Sequence, residues 1–445
     1  MTTEATTEEA VGQDSSEFEI DDLDDYGPPV RCSLITGAAG TGKTYMVRER
    51  IAADPKEGLL CATTGIAAVN LNSTTINAQL KYFDTDSMSN AFISGRLTSR
   101  LAALAKQYRN IYVDEVSMMA AEQLDLLYQA TRAANRQKGV AKVNPDGLGI
   151  TLTGDFAQLP PIKARWAFEA ECWSEFEGNV VRLEKNWRQG DGDFLAAINL
   201  LRNGRGDEGA AGLAGTATTF SNALDLDFDG TTIMSKNDEV DRFNWVRLRR
   251  LTTKAFTVAS KRWSTSSSFP PSEWKLIPAE LQLKMGAYVM ILANARDFSY
   301  ANGDCGWVVD RLPTAVAVKL ARNGEIVQVP LIDRHAHSTD EIEGVDETTK
   351  ERWGAPWWDE KAGRYVVGTV RYLPLRLAWA STVHKSQGLT LDRVQLDIRN
   401  AFFGHPAMSY VAVSRCRSAE GLRIVGSEKL LAQRCRIDPK ITAWV

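Results

Sequence analysis

Eight consecutive residues, Gly37-Ala38-Ala39-Gly40-Thr41-Gly42-Lys43-Thr44, have the types and spacing to hold a phosphate. The glycines let backbone N–H groups converge on phosphate oxygens, Lys43 can reach the β- and γ-phosphates, and the Thr44 hydroxyl can ligate Mg²⁺. Gly37, Ala39, Gly40, Thr41, Gly42, Lys43 and Thr44 are therefore the candidate nucleotide contacts. An apolar run from Cys32 to Ile35 precedes the loop, and a helix-compatible run from Tyr45 to Ala53 follows it. The helix N-terminus adds a favourable potential for an anion.

Further along, the strand-like run Asn110-Ile111-Tyr112-Val113 ends in Asp114-Glu115. Downstream of a phosphate loop, one such carboxylate (Asp114) holds Mg²⁺ and the next (Glu115) polarises the attacking water. Gly149-Ile150-Thr151-Leu152-Thr153 again ends in polar groups, Gly154-Asp155-Phe156-Ala157-Gln158, with Pro160-Pro161 fixing the exit. Gln158 can sense the γ-phosphate. In Glu184-Lys185-Asn186-Trp187-Arg188-Gln189, Arg188 can reach a transferring phosphoryl group and Trp187 can stack on a base. Near the end, Ala380-Ser381-Thr382-Val383-His384-Lys385-Ser386-Gln387-Gly388-Leu389-Thr390 crowds hydroxyls, an imidazole, a cation and an amide into one loop. Such a loop suits backbone phosphates on one side and nucleotide on the other, with Gln387 and Gly388 the candidate nucleotide contacts.

Elements must hold these groups in place. Gly58 to Thr64 reads as a second strand and Gly65 to Asn70 as a helix start, so the motifs sit on successive βα units of a parallel sheet. The 445 residues allow two to four domains, and the 44% hydrophobic content is that of a globular chain. No apolar run reaches the roughly 18 residues of a membrane span, and the N-terminus lacks signal-peptide regions, so no membrane partner is expected. Six dispersed cysteines without metal-ligand spacing read as reduced thiols of a cytoplasmic protein. Residues 1–26 hold ten acids and neither Lys nor Arg, and read as a disordered acidic tail spanning 1–29. The rest carries 52 bases against 46 acids, compatible with nucleic acid without demanding it.

Taken in order, the phosphate loop, Asp114-Glu115 with Ser117-Met118, Gly154-Asp155-Phe156-Ala157-Gln158-Leu159-Pro160-Pro161, Asn186-Trp187-Arg188, Thr382 to Thr390 and Tyr410-Val411-Ala412-Val413-Ser414-Arg415 resemble the superfamily 1 DNA helicases. The third motif is most similar to the 5′-to-3′ branch that includes RecD and the phage Dda helicase. The resemblance spans about residues 30 to 426. It implies an α/β fold of two RecA-like P-loop domains, with a pin hairpin at about 78–98 inside the first (30–190). The second would comprise 191–310 and 370–445, with an SH3-like β subdomain inserted at 311–369.

The resemblance also implies Arg415 as a γ-phosphate arginine supplied across the cleft. It implies single-stranded DNA contacts at Thr64, Gly65, Asn77, Thr382, His384 and Lys385, and a strand-separating wedge at Phe83 or Phe92. Two departures stand out: the family's adenine-reading Gln has only Gln13, in the acidic tail, upstream of the loop, and Thr75-Ile76-Asn77 stands where relatives have Thr-Ile-His. The expectation is an ATP- and Mg²⁺-dependent helicase with Lys43, Glu115, Gln158, Arg188 and Arg415 as catalytic groups. It would act as a monomer on single-stranded and forked DNA, with replication or recombination proteins as partners, in the cytoplasm or in a host's if phage-encoded. A translocase that does not unwind, and a non-enzymatic single-strand binding module, remain open.

Overall fold

The computed structural model describes residues 29–444, apart from Asn72, Asp191, 266–273, Leu276, Arg296, Phe298, Thr339, Asp340 and Lys361. Residues 1–28 of the acidic tail, Gln13 among them, lie outside them. Two parallel sheets organise the chain. In the first lobe six strands run in the order Thr74–Thr75, Gly58–Ala62, Asn110–Asp114, Gly149–Gly154, Cys32–Gly37, Val180–Leu183. All pairs are parallel, as expected of strands that alternate with crossover helices. The central strands are near-continuous apolar runs because both faces are covered.

In the second lobe five parallel strands run in the order Ala380–Thr382, Thr231–Met234, Val394–Asp397, Leu422–Val425, Thr219–Ser221. Helices Asp193–Arg202 and Gly206–Ala214 pack with helices Met408–Val413 and Glu428–Arg434 of the same lobe. Every phosphate-binding or acidic motif falls where a strand ends, the edge at which open α/β sheets bind ligands.

Between Thr231–Met234 and Ala380–Thr382 lies a β insertion. One antiparallel sheet joins Ile326–Pro330, Ala315–Leu320, Cys305–Arg311, Tyr288–Ile291 and Leu375–Leu377; another joins Lys261–Ser264, Arg364–Tyr372, Ile332–Ser338 and Trp357–Asp359. Strands Ala255–Ala259 and Glu280–Lys284 pair with each other. The β region therefore begins near Ala255, which corrects the boundary expected at 311. The run 255–310 was placed in the second lobe by the resemblance, but its strands pair with one another and with strands of the insertion.

The segment 78–98 contains no strand. Helices Ile76–Gln79, Thr85–Ile93 and Arg96–Ala105 occupy it, correcting the expected hairpin. Asp84 caps the middle helix: its Oδ1 accepts from Ser87 N at 2.8 Å, and Ser87 Oγ accepts from Asp84 N at 2.9 Å. That reciprocal box is a helix-start signal. Met88 and Ala91, with Leu97, Leu101 and Leu104 at helical spacing, turn into the core. All six cysteines are buried. Among the described residues no helix is long and apolar enough to cross a membrane.

Candidate nucleotide site and nucleic-acid surface

The phosphate loop leaves its strand at Gly37 and turns through two left-handed glycines, Gly40 at φ 88° and Gly42 at φ 84°, before the helix Lys43–Ala53. Gly40 is required for a second reason. A Cβ there would stand 2.7 Å from Arg188 Cβ and 2.8 Å from Asn186 Oδ1, because the Asn186–Arg188 segment lies directly against the loop. Trp187 N donates to Gly40 O at 2.8 Å and Asn186 Nδ2 to Ala39 O at 2.9 Å. Trp187 itself is 70% exposed at the rim, with Lys185 Nζ 3.9 Å from its ring centre, so a flat face is available for stacking.

Lys43 Nζ donates to Gly37 O at 2.8 Å and Ala38 O at 2.9 Å, curled over the loop where phosphate oxygens would compete for it. Burial pushes its pKa down. Thr41 Oγ1 donates to Ala38 O at 2.9 Å. Thr44 Oγ1 donates to Asp114 Oδ2 at 2.7 Å, while Asp114 Oδ1 accepts from Thr153 Oγ1 and from Glu115 N. The hydroxyl and the carboxylate are hard oxygen donors that suit Mg²⁺, which keeps several waters and takes phosphate oxygens as ligands. Among the described residues no group of three or more His, Cys, Asp or Glu side chains is placed to hold a metal ion.

Glu115 has a positive φ of 59°, unusual for a residue with a Cβ. Its carbonyl is held by Thr63 Oγ1 at 2.8 Å, and its Oε2 accepts from Gln387 Nε2 at 3.1 Å. Burial, reinforced by the neighbouring Asp114 charge, raises its pKa to about 7, with Lys43 and Arg415 pulling the other way. A carboxyl so tuned can exchange a proton near neutrality. Gln158 is buried beside it, and its Oε1 has no hydrogen-bond partner among the described residues.

The second lobe closes the cleft. Arg415, only 1% exposed, lies just past the helix Met408–Val413, its Nε donating to Val411 O and its Nη2 to Ser414 Oγ, both at 2.8 Å. Burial lowers its pKa. Arg188 crosses the seam from the first lobe: Nε donates to Thr390 Oγ1 at 2.8 Å and Nη1 to Ser414 O at 3.0 Å. Burial, and then the nearby Arg415, push it down to about 9. Gln189 also crosses, donating to Ser414 O at 3.0 Å and Cys416 O at 2.7 Å, so the backbone either side of Arg415 is fixed from the opposite lobe. Ala39, Gly40, Gly42, Lys43, Thr44, Asp114, Glu115, Gln158, Trp187, Arg188, Gly388 and Arg415 line one cleft. The sequence reading passed over Gln189, Asn186 and Tyr410. All three stand inside its motifs, but nothing in their side-chain type marks an interlobe contact.

The nucleic-acid candidates are carried by both lobes. Thr64 Oγ1 accepts from Ala67 N at the start of the helix Gly65–Asn70. Asn77 Nδ2 donates to Phe83 O, and Phe83 is 90% exposed in the turn before Asp84. Phe92, on the helix Thr85–Ile93, is partly buried and packs against the core. On the second lobe Thr382 is buried, its hydroxyl accepting from Lys385 N at 3.2 Å. It caps the short helix Val383–Ser386 instead of offering a surface contact. His384 and Lys385 on that helix are half-exposed, with pKa values lowered by burial.

A family model described as PIF1-like helicase matches residues 30–207. The ATP-dependent DNA helicase Pif1 of Bdellovibrio bacteriovorus is 27% identical over 92% of this chain and 86% of its own. The human ATP-dependent DNA helicase PIF1 is 30% identical over 92% of this chain, which spans 60% of that longer protein. Among solved structures, Pif1 from Bacteroides sp. in complex with ADP-AlF4 matches with a TM-score of 0.69 at 23% identity, covering 90% of both chains. Bacteroides Pif1 bound to ssDNA matches at 0.53 and 22% identity, covering 92% of this chain and 91% of that one. These structural likenesses concern the fold.

Proposed function

We propose that the chain is a PIF1-like helicase, an ATP-dependent DNA helicase like the relatives it matches, and that its residues divide the work as follows. The observation that carries the reading is convergence: Lys43, Asp114 and Glu115 of one lobe and Arg415 of the other line the same cleft. ATP binds with its phosphates on the loop Gly37–Thr44 and its base against Trp187. Mg²⁺, held through Thr44 and Asp114, would offset charge on the phosphates. Glu115 takes the proton of the attacking water, and Gln158 orients that water. Arg188 and Arg415 stabilise charge on the transferring phosphoryl group, a role worth about 10³-fold or more for an arginine of this kind.

Single-stranded DNA crosses both lobes, meeting Thr64, Gly65 and Asn77 on the first and His384 and Lys385 on the second. Phe83 projects as the wedge. Opening and closing of the cleft with the γ-phosphate then moves the strand, 5′ to 3′ as in the branch the motifs resemble. One chain supplies both halves of the site, so a monomer suffices. Lys43→Ala is expected to abolish DNA-stimulated ATP hydrolysis while single-strand binding persists. Turnover near that of the parent would overturn the loop assignment. Strand release from a forked duplex, present with ATP and absent without it, separates unwinding from translocation alone.

A further inference from the structure

Asp155, wholly buried in the first lobe, is gripped from the second. Its Oδ1 pairs with Arg202 Nη2 at 2.8 Å, and its Oδ2 accepts from the Tyr410 hydroxyl at 2.9 Å. The same hydroxyl lies 3.1 Å from the backbone nitrogen of Ala39, inside the phosphate loop. The directions of these bonds are forced. An amide N–H can only donate and an ionised carboxylate can only accept, so the hydroxyl accepts from Ala39 and donates to Asp155, using its single proton. Asp155 in turn shapes the turn that carries Gln158: its Oδ1 accepts from Ala157 N at 3.1 Å and its carbonyl from Gln158 N at 2.9 Å. Tyr410 is 2% exposed and rides on the helix Met408–Val413, whose end presents Arg415.

One second-lobe hydroxyl thus touches the two first-lobe loops that must be shaped for phosphate and water, from the helix that delivers the arginine. Resting on the function proposed above, we propose that Tyr410 is a positioning residue for ATP hydrolysis. It makes the form of the phosphate loop and the aim of Gln158 conditional on closure of the lobes. When the lobes part, Ala39 N–H loses its acceptor and the Asp155 carboxylate loses both Tyr410 and Arg202. Partial closure leaves a buried charge short of partners, so the contact favours fully closed or fully open states.

The test is steady-state ATP hydrolysis with saturating single-stranded DNA by the parent, Tyr410→Phe, Asp155→Asn and the double variant. Phe keeps the ring and removes only the hydroxyl. The expected result is a kcat about 10- to 100-fold lower for Tyr410→Phe, the range for losing one bond to a charged group, with KM for ATP within about threefold. The double variant should lose no more than the worse single one, because both act through one contact. A Tyr410→Phe kcat equal to the parent's, a loss confined to KM, or multiplied losses in the double variant would overturn the proposal. If Tyr410→Phe does not fold, Asp155→Asn alone must show the kcat loss at unchanged KM, and parent-like kcat rejects the idea. A parent that hydrolyses no ATP refutes instead the function on which this rests.

Discussion

Glu115 shows how much chemistry one position can be given by its surroundings. Burial and the adjacent Asp114 charge push its pKa up to about 7, against the pull of Lys43 and Arg415. A base must be deprotonated to act, so DNA-stimulated kcat should fall as pH drops below about 7 and level off above it; a profile flat from pH 5.5 to 8.5 would remove Glu115 from that role. Stability carries the same sign. A carboxyl whose pKa is raised on folding holds its proton more tightly in the native state, so it contributes stability below its ordinary pKa and loses it as pH rises through 7. Glu115→Gln, inactive in hydrolysis, is therefore expected to melt at a higher temperature than the parent at pH 8 and nearer to it at pH 5, as thermal denaturation at the two values would read.

At the scale of elements, the phosphate loop and the carboxylates are placed by strand ends, and this was legible in the sequence. Cys32–Gly37, Asn110–Asp114 and Gly149–Gly154 are apolar runs closed by polar residues, so both the strands and the groups they present could be read together. Two elements were misread. The stretch 78–98 mixes aromatics with Asp, Ser, Asn and Gly and suggested a hairpin, although Asp84 and Ser87 form a capping box and the leucines that follow keep helical spacing. The β insertion was placed too late because strand pairing is non-local: nothing in Tyr288–Ile291 announces that its partners are Cys305–Arg311 and Leu375–Leu377. The interlobe contacts of Gln189 and Tyr410 were hidden for the same reason, since each joins residues more than two hundred positions apart.

The corrected helical segment alters what is expected of its aromatics. Phe92 is partly buried against the core, whereas Phe83 is 90% exposed. Phe83→Ala should preserve DNA-stimulated ATP hydrolysis within about twofold, as exposed substitutions usually cost little stability, while slowing forked-duplex unwinding severalfold. Equal unwinding by the variant and the parent would remove Phe83 as the wedge.

Taken whole, the molecule is two parallel-sheet lobes whose facing edges enclose one cleft, with a β region inserted in the second. On the proposed assignment neither lobe supplies every catalytic group: the carboxylates and phosphate loop lie on one, Arg415 on the other, and Arg188 and Gln189 reach across to the backbone beside it. The proposed mechanism therefore requires closure, and Arg415 is its most direct probe. Single-turnover hydrolysis by Arg415→Ala, with ATP binding measured in parallel by a fluorescent analogue, should show affinity within a few-fold of the parent and turnover lower by about 10³-fold. Turnover close to the parent's, with the fold intact, would contradict an ATP site completed across the seam.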